Sequence, residues 1–221
     1  QGKKYPREWV STSASDQILI AANNLKPWYD ELGNQLARVR MAKGTGSHEM
    51  GEGSTSVLIE RIMRADHPQV DSAVAYHYLI EQDGLLMDIA HHGPGPGIRK
   101  WLEGNVLSYY TKAIMQVMIE EGHTPPRLLV RAHYHSMTWR TERYRVSTDF
   151  HTCDAVILPS YSGLDDYSRQ ATRSKGVFDV GCVVVEVSDG DIVELHPRYR
   201  KLDARRKEIW SDGEQQREPI G

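Results

Sequence analysis

Three strand-like runs of apolar residues in this chain each lead into a loop that carries histidine. The runs cover residues 36–42, 85–90 and 128–132. The loops that follow carry, in order, His48, the pair His91 and His92, and the pair His133 and His135. A rigid sheet can aim loops at its strand ends toward one point. The pattern therefore predicts a sheet-based fold with histidine side chains gathered at the ends of strands.

Helical patterns alternate with the strand-like runs. Helices are predicted from Ser15, from Ser54 and from Asn105 to Gly122, and further strands at 155–158, 181–187 and 191–195. Pro27 is expected to bend or restart the first helix. Asp83-Gly84 predicts a hairpin turn between a strand at 74–81 and the run at 85–90. Strands mixed with helices in this way predict an α/β layer arrangement.

The size and charge of the chain suit one domain. We expect residues 1–200 of the 221 to form it, and residues 201–221, which are dominated by charge, to form a tail. A net charge of -3 provides no basic surface of the kind that duplex nucleic acid requires. We expect a cytoplasmic protein with two reduced cysteines, because no apolar run approaches the ~20 residues that span a membrane.

Histidine at strand ends is typical of a metal site. A neutral imidazole offers a directional lone pair near physiological pH. On an extended segment, His133 and His135 would present both rings to the same face, because side chains alternate with period two. Isolated histidines are expected to be surface or core residues without a catalytic role; these are His67, His77, His123 and His196.

Three motifs contain the clustered histidines. They are Gly44-Thr45-Gly46-Ser47-His48-Glu49, Asp88-Ile89-Ala90-His91-His92-Gly93 and Arg131-Ala132-His133-Tyr134-His135. In order and in position after a strand, they resemble the third, fourth and fifth motifs of the calcineurin-like metallophosphoesterases. Those family motifs read Gly-Asn-His followed by an acidic residue, a single His, and Gly-His-x-His. The resemblance covers about residues 36–196 and is strongest to small phosphoesterase-like proteins often encoded by phages.

The resemblance implies both a fold and a metal centre. The fold is a layered β-sandwich flanked by helices, with the N-terminal portion missing from this chain. The cofactors are two divalent metal ions, of Mn, Zn, Fe or Mg. His91 and His133 would bind one ion and His135 the other. Thr45 stands where the family has a metal-binding Asn, and a hydroxyl is a weaker ligand than an amide oxygen.

The resemblance also implies roles in catalysis. His48 would be the general acid that protonates the leaving oxygen, helped by Glu49. His92 would orient the ligands or contact the substrate phosphate, and Arg131 would bind the substrate. The activity implied is hydrolysis of phosphate mono- or diesters, with nucleic acid or a nucleotide among the possible substrates.

The first two motifs of the family have no counterpart here. Neither an Asp-x-His nor a Gly-Asp-x-x-Asp precedes the His48 loop. Those motifs supply carboxylates, including one that bridges the two metal ions. Either the protein is longer and begins upstream of Gln1, or the chain is a remnant with an incomplete site. We expect the first.

Two other functions remain open from the sequence. The chain could be a catalytically inactive interaction or structural module that keeps the fold. It could also be an unrelated single-metal hydrolase, although neither His-x-His-x-Asp-His nor His-Glu-x-x-His occurs in it.

Arginines accompany the fifth motif at positions 127, 131, 140, 143 and 145, interleaved with Trp139 and Tyr144. They predict either a groove for a phosphate backbone or a solvated strand pair of alternating charge.

Overall fold

A computed structural model describes residues 13–44, 54–97, 99–161, 176–211 and 214–216. The helices are α1 (Ala14–Leu32), α2 (Ser54–Asp66) and α3 (Asn105–Glu120), with short 3-10 turns at Gly33–Gln35 and Lys100–Leu102. The strands are β1 (Arg38–Ala42), β2 (Asp71–Ala75), β3 (His77–Gln82), β4 (Leu85–Ala90), β5 (Leu128–Arg131), β6 (Thr138–Val146), β7 (Asp149–Ile157), β8 (Val177–Ser188), β9 (Asp191–Asp203), β10 (Ile209–Ser211) and β11 (Glu214–Gln216). This mixture of helices and strands confirms the predicted α/β class.

A five-stranded mixed sheet is the centre of the fold. Its order is β3-β4-β5-β7-β6. The three inner strands, β4, β5 and β7, run parallel, and each edge strand pairs antiparallel with its neighbour. Parallel strands need long crossover connections, and α3 supplies the one between β4 and β5. The carboxyl ends of the inner strands therefore meet at one edge of the sheet.

Both faces of this sheet are covered. Leu129 and Ile157 pack with Leu107 and Met115 of α3 on one face. On the other face, Leu128 and Val156 pack with Leu195 of the long β8–β9 hairpin. Successive residues of β5 thus point to opposite sides, as a strand buried on both faces requires. A sheet with a helix on one face and a second sheet on the other is the layered arrangement that was expected.

The N-terminal part packs as a smaller unit of helices and strands. Ser13 caps α1, its Oγ accepting from the Asp16 N–H at 3.4 Å. Pro27 lies inside α1, which continues to Leu32, so the helix is not restarted there. Strands β1 and β2 pair in parallel beside α2. The small core here contains Ala22, Tyr29, Met63 and Val70.

Several expectations about the elements are corrected by the structure. The run at 74–81 is not one strand, because it breaks at Tyr76 between β2 and β3, which belong to different sheets. The strand expected at 155–158 extends back to Asp149 and pairs with β6. Residues 201–203 continue β9, and β10 pairs with β11, so the expected tail contains strands. The Asp83-Gly84 turn is confirmed, since both residues have positive φ, 52° and 86°.

Both cysteines lie within the described residues and are free thiols. Cys153 is a buried free thiol and Cys182 a half-buried one. Within the part of the chain that the structure describes, no helix has the length and apolar character needed to cross a membrane.

Candidate metal site and cleft

Histidines collect at the carboxyl edge of the central sheet. His91 directly follows β4, and His133 lies two residues after β5, the neighbouring parallel strand. The N–H of Ala132 donates to the His91 carbonyl at 3.1 Å, which joins the two loops directly. Ligands in open α/β sheets bind beyond the carboxyl ends of the strands. The sheet therefore presents these histidines where a binding site is expected.

The side chains of His91, His92 and His133 form one cluster. Their three ring-to-ring separations are 5.2, 5.1 and 5.0 Å. His91 Nε2 lies 3.1 Å from His133 Nδ1. Two imidazole ligands of one tetrahedral zinc ion have their nitrogens roughly 3.3 Å apart, from Zn–N bonds of about 2.0–2.1 Å. The two rings are joined by a hydrogen bond here, and their nitrogens are close enough for both to bind one metal ion once the shared proton is lost.

The backbone of the fifth motif differs from the expectation. His133 and His135 both have positive φ, 76° and 48°, and β5 ends before them at Arg131. The prediction of an extended His-x-His pair is therefore wrong. Non-glycine residues with positive φ are uncommon, cost of order 1–3 kcal/mol each and cluster at binding and catalytic sites. Two of them within three residues indicate a loop whose shape is imposed by its surroundings.

His135 is held against the β8–β9 layer. It is 5% exposed, and its ring lies 6.4 Å from the ring of Phe178. Its carbonyl accepts from the Asp179 N–H at 3.0 Å, and the Asp179 carboxylate accepts from the Met137 N–H at 2.7 Å. The buried Asp179 therefore fixes the loop that carries both histidines of the motif.

A cleft of about 620 Å³ opens beside the histidine cluster. Its lining includes cationic and imidazole side chains as well as aromatic rings. The lining residues are Lys43, Gly44, Tyr76, His77, Ala90, His91, His92, Tyr110 and Arg131. Lys43 Nζ also lies over the Tyr76 ring at 4.6 Å. None of the described residues that line the cleft is acidic, so the cleft suits an anionic ligand.

Arg131 forms a buried ion pair under the cleft. It is 1% exposed, and its Nη1 donates to Asp88 Oδ1 at 2.6 Å. Its Nε donates to the Tyr110 hydroxyl at 3.2 Å. A Cβ added to Gly93 would lie 2.5 Å from the Arg131 Cγ, so glycine allows the loop after β4 to approach this side chain. Because the guanidinium is committed to Asp88, we expect Arg131 to act through that carboxylate rather than on the substrate.

His77 is a cleft residue that the sequence reasoning missed. Its Nε2 lies 2.7 Å from Asp88 Oδ1. The hairpin contained the signal, because a two-residue Asp83-Gly84 turn sets the register. That register pairs His77 with Ala90 and places Asp88 on the same face, two residues away. Counting back from the turn would therefore have brought this histidine and carboxylate together.

Part of the predicted site lies outside the described residues. The predicted site residues concerned are Thr45, His48 and Glu49. Lys43 and Gly44, the last described residues before that segment, line the cleft. Within the described ranges, no group of three or more histidine, cysteine, aspartate or glutamate side chains has the arrangement to hold a metal ion. Among the described residues, the metal-ligand roles predicted for His91, His133 and His135 therefore stay predictions.

The arginines near the fifth motif do not share one groove. Arg127 binds Asp154 and Asp191, and Arg131 binds Asp88. Arg140, Arg143 and Arg145 lie on β6, the edge strand that pairs with β7. Charged residues on an edge strand discourage pairing with other chains. All three are exposed there, and both interpretations of them stay predictions.

No protein-family model matches the chain, and no curated protein matches it. Among solved structures, the chain is similar to the crystal structure of a Vps29 double mutant from Entamoeba histolytica. The two are 12% identical with a TM-score of 0.32, over 80% of this chain and 88% of that chain. A similarity of this size carries no functional assignment.

Proposed function

We propose that this chain belongs to a metal-dependent phosphoesterase that hydrolyses phosphate mono- or diesters in the cleft at the carboxyl edge of the sheet. The observation that carries the proposal is the His91–His133 pair, with 3.1 Å between Nε2 and Nδ1. The pair comes from loops after adjacent parallel strands and lies beside a cleft without acidic lining in its described part. The resemblance of the three histidine motifs to calcineurin-like metallophosphoesterases supports the same conclusion.

The donor set fits one metal ion with imidazole ligands. His91 and His133 would hold it, and imidazole ligands favour Zn or Fe over Mg and Mn, which prefer oxygen. When bound, two divalent ions supply Lewis acidity that neutralises the phosphate charge and acidifies the attacking water. A second ion would need carboxylate ligands and His135, and such carboxylates would have to come from outside the described residues. The two-metal centre is thus a proposal from the motifs.

The side chains around the pair suit a phosphate ester. Lys43 and the exposed His92 line the cleft together with His91 and offer N–H donors to phosphate oxygens. Charge-assisted hydrogen bonds of this kind are stronger than neutral ones and stabilise the extra charge of a phosphoryl transition state. His48 and Glu49 retain the proton-donating role that the motif resemblance implies. A nucleotide or nucleic acid would be one such ester.

An inactive interaction module is the second candidate. It is favoured by the absence, among the described residues, of a carboxylate in the cleft lining and of a complete ligand set. Such a protein would fold without metal and show no hydrolysis.

The test is hydrolysis of bis-p-nitrophenyl phosphate with manganese, measured together with bound metal. We would compare the full product of this gene with its His133→Ala and His123→Ala variants. His123 is an exposed histidine between α3 and β5, at the opposite edge of the sheet. The proposal expects metal binding and turnover that His133→Ala abolishes and His123→Ala preserves. Absence of metal and of turnover in the full-length protein would favour the interaction module.

A further inference from the structure

A chain of hydrogen bonds runs from the core of the sheet to the cleft and ends at His77. Arg131 Nη1 donates to Asp88 Oδ1 at 2.6 Å, and the same oxygen lies 2.7 Å from His77 Nε2. Arg131 is 1% exposed and Asp88 7%, whereas the side chain of His77 is 55% exposed. The buried pair is therefore fixed, and only the imidazole at its end is open to a ligand in the cleft.

The hydrogen bonds assign the tautomer of His77. An ionised carboxylate only accepts hydrogen bonds, and Asp88 accepts one from Arg131 Nη1. His77 then donates its Nε2–H to Asp88, which leaves Nδ1 as the ring nitrogen that is not bonded to this carboxylate. This is the arrangement by which a buried carboxylate orients an imidazole for proton transfer.

We propose that His77 is a proton-transfer residue of the cleft, and that Asp88 and Arg131 position it. The inference rests on the proposed phosphoesterase function and deepens it. As water attacks phosphorus and the phosphorus–oxygen bond to the leaving group breaks, protonated His77 gives its Nδ1 proton to the leaving oxygen. The attacking water releases a proton to solvent, which reprotonates His77, so that ester and water yield an alcohol and a phosphate.

The placement of His77 supports this role. It is the first residue of β3 and pairs with Ala90, the residue before His91, so it lies at the same sheet edge as the metal-site histidines. Both His77 and His91 line the cleft. An ester whose phosphate sits at the His91–His133 pair would have its leaving group within the same cleft. His48, to which the motif resemblance gives this proton transfer, is the competing donor.

The experiment compares two diesters that differ in how much they need an acid. Dibenzyl phosphate releases a poor leaving group and depends on protonation, whereas bis-p-nitrophenyl phosphate releases a stable phenolate. In the full-length, metal-loaded gene product, His77→Gln is expected to lower kcat/KM on the dibenzyl ester by about 100-fold or more, the usual contribution of a general acid. The loss on the p-nitrophenyl ester is expected to be below about tenfold. His123→Gln is the matched control and should change neither.

Two further variants separate proton transfer from a structural role. Added imidazole should restore dibenzyl phosphate hydrolysis in His77→Ala, because a free imidazole can replace the missing ring. Asp88→Asn should show the same selective loss without rescue, with its fold checked by circular dichroism. His77 is exposed enough that its own substitutions should leave the fold intact.

The outcomes distinguish this inference from the function on which it rests. A selective loss with imidazole rescue supports the role of His77. The role of His77 is overturned, while the phosphoesterase function stands, if His77→Gln loses equal activity on both esters or loses none. It is also overturned if the selective loss appears in His48→Gln and not in His77→Gln. If the unmodified protein hydrolyses neither ester with metal present, the proposed function fails and the inference fails with it.

Discussion

Replacing Arg131 by methionine should be among the more destabilising substitutions in the central sheet. The change keeps most of the side-chain volume but leaves the Asp88 carboxylate, 7% exposed, without its guanidinium partner. Removing one member of a buried ion pair typically costs about 3–5 kcal/mol, because an uncompensated charge remains buried. His77 keeps a hydrogen bond to Asp88, so we expect a loss near the lower limit, about 3 kcal/mol.

Urea unfolding followed by circular dichroism measures this loss. Arg143→Met is the matched control, because Arg143 is exposed on edge strand β6, and it should change the free energy of unfolding by less than about 0.5 kcal/mol. The double variant Asp88→Leu with Arg131→Met removes both charges and should be more stable than Arg131→Met alone. If Arg131→Met lowered the free energy of unfolding by less than about 1 kcal/mol, a loss close to that of the control, the reasoning would be refuted.

Three further predictions concern packing, acid and thiol reactivity. Gly93→Ala should destabilise the fold by about 1–3 kcal/mol, since the new Cβ would meet Arg131 Cβ and Cγ at 2.7 and 2.5 Å. An unchanged midpoint of urea unfolding would contradict this. Burial of Asp154 opposes its ionisation, but hydrogen bonds from Thr141, Arg127 and Trp139 outweigh it and hold its pKa below the ordinary 3.8. Its contribution to stability is therefore present above about pH 4 and is lost as the pH falls through the lowered pKa. Asp154→Asn should thus flatten the dependence of the free energy of unfolding on pH in that acidic range. An unaltered slope would refute this prediction. Burial raises the pKa of Cys153 to about 12, so only the half-buried Cys182 should react rapidly with Ellman's reagent in the native protein at neutral pH. Cys182→Ser should remove that reaction. Two rapidly reacting thiols would contradict the burial of Cys153.

The α/β class was predictable because its signals are local. Apolar runs such as 128–132 and the Asp83-Gly84 turn each report on a few neighbouring residues, and β5 and the β3–β4 hairpin appear where those signals lie. The break at Tyr76 was not predictable in the same way. The apolar pattern continues through it, and only the pairing of β2 with β1 and of β3 with β4 separates the two strands.

The clustering of three of the predicted histidines could be foreseen from the sequence, and the geometry of their loops could not. His91, His92 and His133 come together because they follow neighbouring parallel strands, which the sequence suggests through runs that end in histidine. The conformation of His133 and His135 depends on how their loop packs against the Asp179 strand, which is over forty residues away in the chain. Long-range packing of this kind overrides the local preference for an extended segment.

The roles of Arg131 and His77 could not be read from the motifs alone. An arginine beside a histidine motif suggests a substrate contact, but the structure buries Arg131 and binds it to Asp88, so we propose a positioning role instead. His77 stands outside every motif, and its partner Asp88 lies eleven residues later. The pairing follows from the register of the hairpin, which is a property of two strands together.

Zinc binding by the full-length gene product tests the central claim most directly. Isothermal titration calorimetry would compare the unmodified protein with His91→Ala and His133→Ala, with His123→Ala as control. We predict that each cluster variant weakens binding by at least about 100-fold, since even residues that only orient metal ligands contribute 10–100-fold. The control should bind as the unmodified protein does. Equal affinity in all four proteins, or no binding by the unmodified protein, would contradict a metal site at the carboxyl edge of this sheet.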